Sequence, residues 1–145
     1  MSFRITRTAQ ASWSGTVEEG GGRLGLGSGA FEGPFTLKAR VEEGQPSANP
    51  EELIGAAHAG CFTMSLANLL SDAGHPPAEL RTTAHVRLEQ RPEGFRITRI
   101  TLNVDGEVPG VDDAEFQRLA ERAKTTCPVS LALAGTELAL EARLT

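Results

Sequence analysis

At 145 residues, with 39% hydrophobic residues, 16 Gly and 8 Pro, the chain is long enough for one domain with its own core and needs no disulfide staples. A formal net charge of -5, with 14 Lys and Arg scattered and no basic run, argues against nucleic acid as a partner. The start, MSFRITRTAQ, has no apolar h-region and no stretch approaches ~18 apolar residues, so the expectation is a cytoplasmic protein, neither secreted nor membrane-spanning.

Phe3 to Ser14 alternates and predicts a strand with Trp13 near its end. The segment GGGRLGLGSG, ending at Gly29, reads as turns around a short strand at Arg23, Leu24 and Leu26. It is not a phosphate loop, because no GK[ST] follows and no helix pattern begins there. FTLKARV, from Phe35 to Val41, has period two and predicts a further strand, followed by a polar loop over Glu42 to Ala48.

Asn49 is a good N-cap, Pro50 suits the first helical position, and Glu51 and Glu52 favour the positive end of the dipole. The helix they open runs to about Ala73, where Gly74 and Pro76-Pro77 stop it. Leu80 to Gln90 and Gly94 to Gly106 predict an antiparallel hairpin turning at Arg91-Pro92-Glu93-Gly94. Asp112 and Asp113 cap a helix over Ala114 to Lys124, with Phe116, Leu119, Ala120 and Ala123 on one face. Thr125 or Thr126 caps a short helix opening at Cys127-Pro128 and ending at Gly135, and Glu137 to Leu144 gives a last strand. This order predicts an α+β fold with largely antiparallel sheets.

The chain has two cysteines. Cys61 stands in mid-helix among Gly55, Ala56, Ala57, Ala59 and Gly60, small residues that let a helix or a substrate come close. Leu53, Ala57, Gly60, Cys61 and Met64 share one helix face, and the bland reading of Cys61 is a small buried hydrophobe. A thiol of pKa ~8.5 is only a few per cent ionised at pH 7. Mid-helix, Cys61 gains little from the dipole and needs a cation, for which Arg40 is the best nearby candidate. Complete ionisation gains only ~2 kcal/mol, against the ~8 kcal/mol or more that enzymes supply, so the arginine must also stabilise charge on a departing oxygen. Local physics alone favours Cys127, at a helix N-terminus, and spacing does not decide which sulfur attacks first. The pair points to a cycle in which one thiolate becomes a sulfenic acid and condenses with the other thiol.

NPEELIGAAHAGCFTMSL together with TTCPVSLAL resembles the osmotically inducible protein C / organic hydroperoxide resistance (OsmC/Ohr) family, and the first motif is closest to the OsmC branch. The similarity runs over essentially the whole chain, as one OsmC-like domain over 1–145. The resemblance implies a thiol peroxidase for organic hydroperoxides, without metal or haem, regenerated by a dithiol reductant of lipoyl type. It also implies an intertwined homodimer whose sheets wrap long central helices. Carried over by motif, Cys61 is the peroxidatic cysteine, Cys127 the resolving one, and Glu51 the carboxylate that orients an arginine. Arg40 matches the OsmC-type arginine with one residue inserted in the loop Glu42 to Ala48, while the earlier arginine of the Ohr branch leaves Arg23 as the weaker alternative. Glu51 and Cys61, ten residues apart on one helix, are ~15 Å apart along its axis. The expectation is therefore that Arg40 and Glu51 of one subunit serve Cys61 of the other.

Phe62 and Met64, with Phe31 or Phe35, would supply an apolar wall suited to a hydroperoxide with a hydrocarbon tail, although ordinary core packing explains each of them equally well. The rival of another class is a metal-binding or non-catalytic stress protein using His58, Cys61 and Cys127, with His75 or His85 completing the set. His58 and Cys61 at i, i+3 lack a C-x-x-C or H-E-x-x-H context.

Overall fold

The computed structural model describes residues 2–145, which fall into two compact units, one running to Leu53 and one from Ile54 to Thr145. The architecture is α+β, with two three-stranded sheets and four helices among the described residues.

In the first unit, β1 (Ala9–Ser14), β2 (Gly21–Leu26) and β3 (Glu32–Phe35) form an antiparallel sheet in that order. The glycine-rich segment is thus the middle of a meander. FTLKARV is not a strand: β3 ends at Phe35 and a short helix, α1 (Leu37–Val41), takes its place. Thr36 decides this. Its hydroxyl accepts the Ala39 N–H at 3.1 Å, and that N-cap overrides an apolar alternation of only four residues.

Helix α2 (Pro50–Asp72) opens as the sequence predicts, with Asn49 Oδ1 accepting the Glu52 N–H at 2.8 Å, and it stops before Gly74 at φ 87°. Contrary to the sequence expectation, α2 is long and apolar enough to match a membrane span, with a mean hydropathy of 1.4 over its best 18 residues. Alanine raises that mean without adding large apolar surface, and only 28% of the window is buried in the protomer.

In the second unit β4 (Glu79–Arg91) and β5 (Gly94–Glu107) form the predicted antiparallel hairpin. Helices α3 (Asp113–Thr126) and α4 (Pro128–Ala132) then lead to β6 (Glu137–Leu144), which pairs parallel with β5. A parallel pair needs a crossover of this length, and α3 supplies its covering face. Phe116, Leu119, Ala120 and Ala123 of α3 join Ile100, Leu102 and Val104 of β5 and Phe62, Leu66 and Leu70 of α2 in one core. Each of those large side chains contributes about 1.5–3 kcal/mol by burial. The close approach depends on Gly106, where a Cβ would lie 2.8 Å from the Phe116 ring.

Candidate active site

The buried stripe of α2 in the second unit is Gly55, His58, Phe62, Leu66 and Leu70. This differs from the face predicted from the sequence: Ala57 and Gly60 are exposed, Met64 is 76% exposed, and Cys61 is half-buried beside the stripe. The stripe is set by the three large side chains at i, i+4 and i+8, whereas the small residues carry too little apolar area to compete for the core.

Cys127 is buried and sits where α3 ends and α4 begins. It is itself the N-cap of α4, its Sγ accepting the Ser130 N–H at 3.4 Å, with Pro128 at the first helical position. The threonines expected to cap instead donate their hydroxyls back to Arg122 O, at 3.1 Å from Thr125 and 2.7 Å from Thr126. That back-bonding keeps both within α3.

Both thiols are free, and they are neighbours: Cys61 packs against the core cluster that contains Cys127, near enough for Cys127 to act on its ionisation. Burial pushes the Cys61 thiol above its ordinary value. The Val129 N–H works against this, while the hydrogen bond and the charge of Cys127 push it further up.

A second contact reaches the pair from behind. Ser130 Oγ lies 3.1 Å from Cys127 Sγ and 2.7 Å from His58 Nε2, and His58 is fully buried. His58 therefore faces a serine, and among the described residues no group of three or more His, Cys, Asp or Glu side chains is arranged to hold a metal ion. His75 is half-buried in the turn after α2, and His85 lies exposed on β4. Sequence reasoning noticed His58 but missed Ser130, for which the only signal was its place three residues after Cys127.

In the first unit, Arg40 and Glu51 form a two-pronged ion pair, Nε to Oε1 and Nη2 to Oε2, both at 2.9 Å. The cap at Thr36 makes this geometry, because α1 places Arg40 in its last turn while Asn49 Nδ2 donates to Ala39 O at 3.4 Å. Glu51 is 7% exposed in the first turn of α2, where backbone N–H groups favour its charge. Arg23 instead pairs with Glu32 at 3.2 Å on the exposed sheet. Beside Arg40 lies a recess of about 190 Å³ lined by Trp13, Val17, Phe35, Leu37 and Pro50. Trp13 and Phe35 pack at 5.3 Å between ring centroids, with their planes tilted by 60°.

Of the four apolar residues predicted to form a wall, only Phe35 lines this recess. Phe31 covers Gly33 at the sheet, Phe62 is core with no surface to offer, and Met64 points away from the buried stripe. Trp13, Val17 and Leu37 were missed because nothing local in the sequence gathers them around one arginine.

The OsmC-like protein family matches residues 42–141 of the chain. The chain is 42% identical over 130 residues to the peroxiredoxin OsmC of Escherichia coli (strain K12), covering 89% of this chain and 90% of that one. It is 37% identical over 93 residues to the organic hydroperoxide resistance protein of Xanthomonas axonopodis pv. citri (strain 306), 63% of each chain. Among solved structures, an organic hydroperoxide resistance protein from Elizabethkingia anophelis superposes with a TM-score of 0.80 over 100% of both chains at 28% identity. OhrB of Bacillus subtilis shares the fold, with a TM-score of 0.71 over 95% of this chain and 98% of that one at 24% identity. With both of its cysteine motifs inside the matched sequence and its whole fold superposable, this chain belongs to the OsmC-like protein family.

Proposed function

We propose that the protein is a thiol-dependent peroxidase that reduces organic hydroperoxides to alcohols in oxidative stress defence. The observation that carries this reading is that Cys61 and Cys127, far apart in sequence, are neighbours in the fold, with Cys61 half-exposed and Cys127 buried. The names of the E. coli and Xanthomonas relatives support the substrate class.

In the proposed cycle the Cys61 thiolate attacks the terminal peroxide oxygen. A sulfur–oxygen bond forms, the oxygen–oxygen bond breaks, and the alkoxide leaves and is protonated to the alcohol. Cys127 then attacks the sulfenic sulfur, giving the Cys61–Cys127 disulfide and water, and an external dithiol, of lipoyl type, restores both thiols. No metal or haem takes part.

A thiol whose pKa is pushed up by burial cannot start this cycle alone, so a cation must ionise it. Arg40, held by Glu51, has that role and also steadies the departing alkoxide. Because Glu51 and Cys61 are ~15 Å apart along α2, Arg40 and Glu51 of one protomer serve Cys61 of its partner. The site is then complete only in an intertwined homodimer, with sheets wrapped around central helices. The exposed small face of α2, at Ala56, Ala57 and Gly60, allows the close helix approach that such a dimer requires. The apolar recess beside Arg40 would take the hydrocarbon part of the substrate.

The test is steady-state turnover of tert-butyl hydroperoxide against hydrogen peroxide, with lipoamide-type dithiol or thioredoxin as reductant. Preference for the organic peroxide with the dithiol supports the reading, and equal or absent turnover of both removes it. Mixing Cys61→Ser protomers with Glu51→Ala protomers tests the shared site. Activity recovers if one complete site forms per heterodimer, and the composite site is wrong if it does not.

A further inference from the structure

The proposed cycle leaves one buried polar chain without a task. Cys127 is 1% exposed, so solvent reaches its proton poorly, yet it must give that proton up when it attacks the Cys61 sulfenic acid. Among the described residues, the side-chain hydroxyl in hydrogen-bond contact with its sulfur is that of Ser130, at 3.1 Å. A serine hydroxyl is no base, but its oxygen also lies 2.7 Å from Nε2 of His58, and the imidazole is wholly enclosed. Nothing else contacts that imidazole through a hydrogen bond: His58 Nδ1 has no partner among the described residues.

Building on the peroxidase reading, we propose that Ser130 and His58 form the proton path of the resolving thiol, carrying the Cys127 proton away during disulfide formation and returning it during reduction. Ser130 contacts the reacting sulfur, and His58 is the base behind it, acting through Ser130 as a positioning residue. In the resting state Cys127 donates its S–H to Ser130 Oγ, and Ser130 donates its O–H to Nε2. When Cys127 attacks, a sulfur–sulfur bond forms and the Cys61 sulfur–oxygen bond breaks. The thiol proton moves to Ser130, and the Ser130 proton moves to His58. The oxygen leaves Cys61 as hydroxide and takes a proton from solvent at the half-exposed face of Cys61, so the products are one disulfide and one water. The proton on His58 goes back through Ser130 to Cys127 when the disulfide is reduced. The Cys61 sulfur is reduced by one unit and the Cys127 sulfur oxidised by one. The lone Nδ1 serves this task, because an enclosed imidazolium with an unpaired N–H is costly and passes its proton on. Burial alone displaces His58, downward from the ordinary imidazole value, and the titratable groups facing this path are the two cysteines.

The experiment follows the two half-steps separately in rapid-mixing kinetics with tert-butyl hydroperoxide: loss of the Cys61 thiol, then formation of the disulfide. Wild type, Ser130→Ala and His58→Gln are compared across pH. The proposal expects disulfide formation to slow roughly tenfold or more in both variants at pH 7, with Cys61 oxidation changed by less than about twofold. It also expects the deficit to shrink as pH rises, because hydroxide takes over from the missing base. Ser130→Ala removes one oxygen, and Cys61 oxidation at the wild-type rate reports that it is folded. Equal slowing of both steps, or a deficit unchanged with pH, would assign Ser130 and His58 a packing role and overturn the path. A wild-type protein that forms no disulfide with the peroxide overturns the peroxidase reading as well, whereas a cycling wild type matched by both variants overturns the path alone.

Discussion

Replacing Arg40 by alanine and replacing Glu51 by alanine break the same ion pair, but the two changes leave different charges behind. The side chain of Glu51 is 9% exposed and that of Arg40 38% exposed. Arg40→Ala strands a carboxylate that water can hardly reach. Breaking a fully buried pair costs about 3–5 kcal/mol, and the first-turn N–H groups of α2 return about 0.3–1 kcal/mol to the carboxylate. With part of the pair at the surface, the expected loss is about 2–3 kcal/mol. Glu51→Ala strands a guanidinium that solvent already reaches, and should cost about 1 kcal/mol. The double variant Arg40→Ala/Glu51→Gln removes the stranded charge and should recover about 1 kcal/mol of the Arg40→Ala loss. Equilibrium urea unfolding at one fixed protein concentration measures all three. Glu51→Ala as destabilising as Arg40→Ala, or a double variant no better than Arg40→Ala, would refute the reasoning.

In the core, Phe62→Ala should lose about 3–5 kcal/mol, because Phe62 is fully enclosed and leaves a cavity, and a urea midpoint close to wild type would contradict its placement. Gly106→Ala should cost about 1–3 kcal/mol, since the new methyl would sit 2.8 Å from Phe116 and 3.1 Å from Leu80. A loss within about 0.5 kcal/mol would show that α3 yields freely at this contact. Burial holds His58 below the ordinary imidazole value, so below about pH 6.5 the unfolded chain binds a proton the folded one refuses. The stability it contributes is complete above that pH and falls away as the pH drops, by up to about 1.4 kcal/mol per unit. Urea midpoints between about pH 7.5 and pH 5 should show a shallower slope in His58→Gln than in wild type, and equal slopes would contradict this.

Elements whose signals are local were readable from the residues alone. Asn49-Pro50 and Gly74 bracket α2, the hairpin β4–β5 alternates for long enough to be unambiguous, and Phe116, Leu119, Ala120 and Ala123 mark the inner face of α3. FTLKARV failed because an alternation of only four apolar residues is too short to exclude a short helix, and the deciding group was the Thr36 hydroxyl just inside the segment. The stripe through Cys61 failed because glycine and alanine count as apolar in a pattern but weigh little in a core. The parallel pairing of β6 with β5 leaves no local trace at all.

The site divides in the same way. Arg40 and Glu51 could be paired by motif, and their bidentate contact agrees with that pairing. The contact between His58 and Ser130 joins residues 72 positions apart, and no spacing rule reaches across that distance. The recess beside Arg40 likewise draws on β1, the turn after it, β3 and both neighbouring helices.

The central claim is that Cys61 and Cys127 act as one redox pair toward an organic hydroperoxide. Fully reduced protein titrated with a single equivalent of tert-butyl hydroperoxide should lose both free thiols together and yield a Cys61–Cys127 disulfide by peptide mapping, while Cys61→Ser consumes no peroxide. Retention of both thiols at that point, or peroxide consumption undiminished in Cys61→Ser, would contradict the account.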